Sequence, residues 1–283
     1  MQPPLNGIDG EFEPEDPKMR CELATVLVVL ALLGAEREAA AQPAATFTGL
    51  GFVEGSRTKE GIDVSADGSA IIGEDEAGRS FFWTEATGAV RIEALSGPTT
   101  GRALVYGLSD DGSVAVGRLD AFSLGDPMRW SQATGIQLLG ALPSDSVSGE
   151  YRAAEAASAD GSVIVGHAMN GFGHVKGFRW TAERGMQDVG RWAFAVSANG
   201  AVVGGMGTRW TEAGGEVQLA GLPGGPYPMF VRDLSHDGAI MVGDAGTNDM
   251  FTQRAVLWHA SSACVRSRTC CATSTASICR TGC

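Results

Sequence analysis

The sequence predicts an all-β fold, a β-propeller-like array of about five four-stranded repeats. A Ser-x-Asp-Gly motif between two short apolar runs recurs at intervals of roughly 40 residues, which indicates an internal repeat. Each interval has room for four short strands, as in a propeller blade. Glycine supplies 40 of the 283 residues, which suits short strands and tight turns. The main alternative is a β-solenoid, whose coils usually need fewer residues per turn.

The recurring motif predicts a tight hairpin in each repeat. Asp-Gly between apolar runs is a strong hairpin signal, because glycine accepts a positive φ without steric cost. The Ser and Asp side chains can also hydrogen-bond nearby backbone amides and tighten the turn. The predicted turn residues, with asparagine in the acidic position of the fourth repeat, are Asp67 and Gly68, Asp111 and Gly112, Asp160 and Gly161, Asn199 and Gly200, and Asp237 and Gly238.

Four strands are expected in each repeat. In the first repeat they are Ile62–Ser65, Ala70–Gly73, Ser80–Thr84 and Val90–Leu95. The second strand of each repeat is a continuous apolar run, such as 163–165, that is typical of a strand covered on both faces.

The two ends of the array leave its closure open. Phe47–Phe52 resembles Gln137–Pro143 and Gln218–Pro223, which predicts a fourth strand without its first three partners. The last unit, Val231–Trp258, has no clear fourth strand. Either these two halves complement each other and close a five-bladed ring, or the parent protein has more blades and this chain is an open fragment.

The third strand of each repeat carries one tryptophan, at Trp83, Trp130, Trp180, Trp210 and Trp258. A tryptophan can bury roughly 150–250 Å² of surface, so one per repeat predicts packing between adjacent repeats. Strand alternation places the preceding residue on the opposite face, and this residue is arginine in three repeats: Arg129, Arg179 and Arg209. These arginines are expected to cover the blade and pair with a neighbour. The alternative is a ligand surface where arginine and aromatic groups stack on sugars or peptides.

Residues 1–41 are predicted to precede the repeat domain, which spans 42–260. The polar, Pro-rich residues 1–18 are expected to be disordered. The apolar run Leu23–Leu33 follows a basic start and ends in a stretch of small residues, the order found in a secretory signal peptide. This run is shorter than the about 20 residues that a membrane span needs; a short buried helix is the alternative. The signal-peptide interpretation predicts that Met19 is the true start and that cleavage follows Ala41.

The repeat pattern resembles the HAF family of bacterial extracellular repeats. Residues 157–190 contain S-A-D-G-S-x-I-x-G, G-F-R-W-T and G-M-Q-D-V-G in this order, and counterparts extend over about 46–260. The resemblance implies a secreted or cell-surface protein, and some members of the family carry an outer-membrane autotransporter domain. It implies no catalytic residues. The chain departs from the pattern in its fourth repeat, which is shortened between Gly200 and Trp210, and after Trp258.

The segment 261–283 is predicted to be a disordered, Cys-rich tail. It lacks periodicity and metal-finger spacing, and holds Cys264, Cys270, Cys271, Cys279 and Cys283. The repeat domain contains no cysteine, so its stability cannot come from disulfides. With plausible codons, a shifted reading frame from Ser267 onward spells a segment with apolar–polar organisation. This predicts that a frameshift truncated the array.

Composition and motifs exclude several classes of function. The net charge of −12 and the lack of a Lys/Arg cluster argue against binding to nucleic acid or to anionic membranes. One Asp per turn is too few for Ca²⁺, which takes six to eight oxygen ligands. The four histidines, His167, His174, His236 and His259, are scattered among different elements, so zinc is not expected. No hydrolase or metalloprotease motif occurs. No catalytic, cofactor-binding or metal-binding residue is therefore predicted.

The sequence thus predicts an exported, non-enzymatic β-repeat protein, a structural or binding module for an extracellular protein or glycan. It is not expected to be an integral membrane protein, and the compartment is the periplasm, the cell surface or the medium. Near-equivalent repeats without a unique polar constellation favour a scaffold, because catalysis needs one particular site. The alternatives are a carbohydrate-active propeller enzyme, which requires convergent carboxylates at the blade mouths, and the passenger fragment of an autotransporter.

Overall fold

The computed structural model describes residues 46–93, 101–121, 124–143, 152–169, 174–222, 229–246, 253–259 and 262–266. The chain divides into two units, Met1–Thr48 and Gly49–Cys283, and the fold described below belongs to the second. The predicted leader within residues 1–41 lies outside the described residues. Among these described ranges no helix has the length and apolar character that crossing a membrane requires.

Five antiparallel sheets follow one another along the chain, each made of consecutive strands. The first contains β1 (Phe52–Val53), β2 (Ser56–Val64), β3 (Ala70–Asp75), β4 (Ser80–Thr84) and β5 (Gly88–Arg91). The second contains β6 (Arg102–Leu108), β7 (Ala115–Ala121), β8 (Leu124–Ser131) and β9 (Gly135–Leu138). The third contains β10 (Ala153–Ala157), β11 (Val163–Met169), β12 (Val175–Thr181) and β13 (Gly185–Gly190).

The last two sheets repeat this arrangement. The fourth contains β14 (Ala193–Val196), β15 (Val202–Gly205), β16 (Thr208–Thr211) and β17 (Gly215–Gln218). The fifth contains β18 (Met229–Leu234), β19 (Ile240–Gly246), β20 (Gln253–His259) and β21 (Ser262–Arg266).

The fold is a β-propeller, which confirms the predicted class. Each repeat forms its own antiparallel meander, of five strands in the first sheet and of four in the others. We call the strand that precedes the motif serine the first strand of its repeat; these strands contact one another in the order β2, β6, β10, β14 and β18. The β-solenoid alternative is wrong, because the strands of one repeat pair with each other in an antiparallel sheet instead of forming one coil.

The hydrophobic core lies between consecutive sheets. Ile72 of the first sheet packs in one cluster with Ala115 of the second. Val116 and Ile164 join the second sheet to the third, and Val165 and Val203 join the third to the fourth. Burial of such a side chain contributes about 1.5–3 kcal/mol. Each sheet therefore depends on its neighbours for stability, as one repeat cannot cover its own apolar faces.

The hairpin after each first strand has the same hydrogen bonds in every repeat. In the third sheet, the Ser158 hydroxyl donates to Asp160 Oδ1 at 2.8 Å and accepts the Val163 N–H at 3.0 Å. Asp160 Oδ1 also accepts the Ser162 N–H at 3.0 Å. In the fourth sheet, Asn199 Oδ1 takes over the position of the carboxylate. The structure thus places the predicted turn residues in one repeated turn geometry.

The turns also bind to one another from sheet to sheet. Ala66 N–H donates to the Asp110 carbonyl at 2.8 Å, and Ala159 N–H donates to the Ala198 carbonyl at 2.9 Å. A Cβ on Gly161 would lie only 2.5 Å from Val114 Cγ2 of the preceding sheet. Gly161 therefore has two reasons to be glycine: its positive φ of 65°, and the close approach of the two sheets.

The structure corrects the prediction for the start of the array. Of Phe47–Phe52, only Phe52 lies in a strand, the short β1, which pairs with β2 of the same sheet. Phe47 is fully exposed and therefore gains nothing from burial. Among the described residues, this segment pairs within the first sheet and not with the fifth, so the pairing expected between these two halves of a ring is not formed there.

The end of the array also differs from the prediction. Ser262–Arg266 forms β21, which pairs with β20 and supplies the fourth strand of the last sheet. The expectation of disorder over 261–283 is thus wrong for these residues. The absence of apolar periodicity misled the prediction, because backbone N–H and C=O groups form the ladder whatever the side chains are.

The fifth sheet is less covered than the others on the face that would meet a following sheet. Val242 is 42% exposed, whereas Ile72, Val116 and Val165, at the same position of the first three repeats, are all fully buried. No hydrogen bond joins the fifth turn to the first among the described residues, although each earlier turn is bonded to the next. The fifth and first sheets are therefore not joined as the other pairs are.

Candidate functional site

Four of the five tryptophans predicted to pack between repeats lie in clusters shared by adjacent sheets: Trp130, Trp180, Trp210 and Trp258. The residue before one tryptophan contacts the tryptophan of the next sheet: Phe82 lies 5.1 Å from Trp130 between ring centroids, and the Arg129 guanidinium lies 5.7 Å from the Trp180 ring. Arg179 lies 5.9 Å from Trp210 in the same way. Trp130 is buried, and Trp83, Trp180, Trp210 and Trp258 are half-buried.

These contacts bear on the predicted role of the arginines. Arg129 and Arg179 do contact the neighbouring sheet, but the partner of each is an indole ring and not a carboxylate. Arg179 Nε also donates to the Gly200 carbonyl at 3.2 Å. Two of the three arginines thus join sheets by cation–π contacts, each worth roughly 0.5–1 kcal/mol when exposed.

A cavity of about 440 Å³ lies between the first strands of all five sheets. Cavities of roughly 300–1,000 Å³ are typical of small-molecule sites. All the lining residues belong to these five strands or to the turns that follow them. We call it the axial cavity, and it is the place where all five repeats meet.

A β-bulge in each first strand shapes the wall of the axial cavity. The pairing register shifts by one residue three positions before the motif serine in every repeat. Bulges re-aim a side chain and are frequent next to functional sites. The bulged residues are Ile62, Tyr106, Glu155, Phe194 and Arg232, and all of them except Ile62 line the cavity.

Carboxylates predominate among the titratable groups of the axial cavity. The titratable lining residues are Asp63, Asp110, Glu155, Asp233, Tyr106, Arg232 and His236. Arg232 Nε donates to Asp244 Oδ1 at 2.7 Å, so an acid outside the lining already balances the only lining guanidinium. The wall therefore carries an excess of negative charge from four different sheets.

Backbone N–H groups bind two of these carboxylates, and one of these bonds joins neighbouring sheets. Asp63 Oδ2 accepts the Leu108 N–H of the next sheet at 2.8 Å, and Asp63 Oδ1 accepts the Val64 N–H. Asp233 Oδ1 accepts the Leu234 N–H at 2.7 Å. Backbone donors therefore fix the orientation of both carboxylates.

Glu155 lines the axial cavity and also contacts a group of rings beside it. Its Oε1 is 3.1 Å from Nδ1 of His167, a residue with only 8% exposure. The His167 ring stacks on Trp192 at 4.7 Å between centroids, and Trp192 lies 5.8 Å from the ring of Phe194. Burial raises the pKa of the Tyr106 phenol above its usual 10, so this side chain keeps its hydroxyl proton at neutral pH.

The structure places the four histidines in different surroundings. His236 lines the axial cavity and His167 lies beside it, whereas His174 and His259 are not part of its lining. Within the described ranges no group of three or more His, Cys, Asp and Glu side chains could hold a metal ion.

Sequence reasoning missed the axial site because it concentrated on what the repeats share. The repeats differ at the bulge, where the five side chains are Ile, Tyr, Glu, Phe and Arg. A detectable signal was present: when the repeats are aligned on the motif serine, the third position before it differs chemically in every repeat.

Comparisons with known proteins give matches in fold only. No family model matches the chain, and no curated protein matches its sequence. TolB from Acinetobacter baumannii is 13% identical with a TM-score of 0.46, over 72% of this chain and 52% of that one. A candidate TolB from Agrobacterium tumefaciens is 14% identical with a TM-score of 0.49, over 72% and 77%. U3-55K is 16% identical with a TM-score of 0.43, over 73% and 64%. The chain spans about half the length of the Acinetobacter protein.

Proposed function

We propose that the protein is an exported, non-enzymatic binding module that takes up part of an extracellular protein or glycan in the axial cavity. The observation that carries this proposal is the bulge position. Five structurally equivalent positions there carry five different residue types, four of which line the cavity, while the turns around them repeat the same hydrogen bonds.

Symmetry explains why this difference matters. Five identical side chains around one axis would present the same group five times, which suits few natural ligands. An asymmetric ligand needs distinct partners at defined positions, as in most small-molecule sites. The bulges keep the backbone geometry constant and allow the side chain to change, so the scaffold and the site are separate.

The arrangement of the carboxylates supports binding over catalysis. A general acid or base must be able to exchange a proton with the substrate. Asp63 and Asp233 instead accept backbone N–H groups, and Glu155 lies against His167. These contacts occupy the oxygens that would transfer a proton but leave the negative charges in place, so the acids can still attract a ligand.

Sequence features support export and the family. The basic start, the apolar run Leu23–Leu33 and the small residues before Gln42 have the order of a signal peptide. The repeat pattern resembles that of HAF repeat proteins, which the resemblance associates with the cell surface or the medium. These features support the proposal that the protein is an exported repeat protein whose ligand lies outside the cytoplasm.

A glycan and peptide array probed with the purified protein tests this proposal. We expect that Tyr106→Ala and Phe194→Ala each weaken the binding of a captured ligand at least tenfold, because both rings line the cavity. Leu138→Ala is the matched control, since Leu138 is an exposed apolar residue on the outer strand β9. A ligand whose affinity is the same in all three variants would place the site elsewhere.

A further inference from the structure

The charge and the aromatic wall of the axial cavity indicate a class of ligand. We propose that the cavity binds an organic cation: an ammonium or guanidinium group, carried either by a polyamine or by a lysine or arginine side chain of a peptide. This inference rests on the proposed function, because it concerns the same cavity.

The first argument is the distribution of charge. Asp63, Asp110, Glu155 and Asp233 come from four of the five sheets and line one cavity of about 440 Å³. Arg232 is bound to Asp244, so it does not offset these four acids. Clefts lined by one sign of charge raise the local concentration of the opposite ion. The net charge of −12 adds attraction for cations at longer range.

The second argument is the contact between Glu155 and His167. Glu155 Oε1 and His167 Nδ1 lie 3.1 Å apart, yet Nδ1 has no hydrogen-bond partner, although His167 is buried. His167 is thus held against one oxygen of Glu155, whereas the Glu155 side chain is 25% exposed and lines the cavity. A ligand ammonium or guanidinium group carries several N–H donors on one charge and can bond to this carboxylate.

The third argument is the pair of aromatic rings on either side of Glu155. Tyr106 and Phe194 occupy the bulge position of the sheets before and after the one that carries Glu155, and both line the cavity. Organic cations bind to aromatic faces in addition to carboxylates. The wall thus offers both kinds of partner that such a group takes.

Other ligand classes fit these residues less well. A metal ion needs several oxygen ligands at roughly 2.3–2.6 Å, and no cluster of acids in the described ranges could supply them. An anion would find Arg232 already bound to Asp244 and four carboxylates around it. An organic cation is larger than a metal ion and can reach carboxylates on different sheets.

Calorimetric titration with spermidine, and separately with the tripeptide Gly-Arg-Gly, tests the proposal on the full-length protein. We expect that Asp110→Asn combined with Glu155→Gln weakens binding of the bound probe at least tenfold. The control Glu85→Gln removes the same kind of charge in the exposed turn between β4 and β5 and should leave affinity within twofold. Circular dichroism and the thermal midpoint verify that each variant is folded.

The two probes distinguish a polyamine from a basic peptide as the source of the cation. Binding of spermidine alone indicates a polyamine, and binding of the tripeptide alone or of both indicates a basic peptide. In either case, affinity should fall as salt is raised from about 50 to 300 mM, because screening shortens the reach of the carboxylates; this also holds if the double variant fails to fold. The proposal of an organic cation is overturned if neither probe binds, or if a probe binds equally to the wild type and to the folded double variant. The axial site itself stands or falls separately, with the array ligand and the Tyr106 and Phe194 variants.

Discussion

The turn carboxylates show how one residue type couples the fold to pH. The Ser69 amide, with help from the Ser69 and Ser65 hydroxyls, lowers the pKa of Asp67 from 3.8 to about 2. The Ser162 amide likewise lowers the pKa of Asp160. Because the folded pKa lies below the unfolded value of roughly 3.9, these groups stabilise the fold above that pH. Their contribution is lost as pH falls from about 4 towards the folded pKa.

The fourth repeat provides a natural control for this effect, because Asn199 makes the same bonds without titrating. We expect Asp160→Asn to stay within about 1 kcal/mol of wild type at pH 7. Its loss of stability between pH 4 and pH 2 should be smaller than that of wild type. Urea unfolding followed across this pH range measures both quantities.

The variant Asp160→Ala is the comparison for this experiment. It removes the acceptor as well as the charge, so the Ser158 hydroxyl and the Ser162 amide lose their bonds at every pH. We expect it to be less stable than Asp160→Asn at pH 7 by about 1 kcal/mol. Equal acid sensitivity of wild type and Asp160→Asn would show that other carboxylates determine the acid response.

At the scale of elements, two hairpin glycines distinguish the effect of backbone strain on stability from the effect of contact between sheets. Gly68 and Gly161 have φ values of 75° and 65°. A Cβ on Gly68 would meet nothing within 4 Å, whereas one on Gly161 would meet Val114 at 2.5 Å. We expect Gly68→Ala to lower the free energy of unfolding by about 1–2 kcal/mol, because alanine must adopt the left-handed conformation there. Gly161→Ala should cost at least about 1 kcal/mol more, because overpacking adds to this.

Thermal and urea unfolding of the two alanine variants measure this difference. If both variants lose the same stability, then Val114 moves away at no cost and the close approach of the two sheets is not needed. A larger loss at Gly68 would be incompatible with open space beside that turn.

Elements defined by local pattern could be predicted from the sequence, and those defined by distant contacts could not. Ser80–Thr84 was predicted with its observed bounds, because strand alternation and flanking turns are local signals. The predicted Val90–Leu95 corresponds to β5, which begins at Gly88 and ends at Arg91. The bulge at Tyr106 breaks the period-2 pattern without leaving a signal in its own repeat. Its convergence with Glu155 and Phe194 depends on five sheets meeting at one axis.

At the scale of the whole molecule, each sheet is stabilised by the sheets before and after it. Position 7 after the motif serine shows this most directly. Val165 of the third sheet is fully buried and packs in one cluster with Val203 of the fourth, whereas Val242 of the fifth sheet is 42% exposed. The same residue type at the same position of the fold therefore differs only in whether a following sheet covers it.

This pair predicts where the propeller is sensitive to mutation. Val165→Ala removes buried methyl groups and leaves a cavity, so we expect a loss of roughly 2–3 kcal/mol. Val242→Ala should cost less than about 0.5 kcal/mol, as is usual for exposed positions. Urea unfolding of the two variants under identical conditions gives both values. Equal losses would mean that Val242 is covered in solution, with the first sheet packed against the fifth as the other sheets pack in sequence. A small loss of unfolding free energy for Val242→Ala, beside a large one for Val165→Ala, shows that each sheet is stabilised by the sheet that follows it and that no sheet covers the fifth in this way.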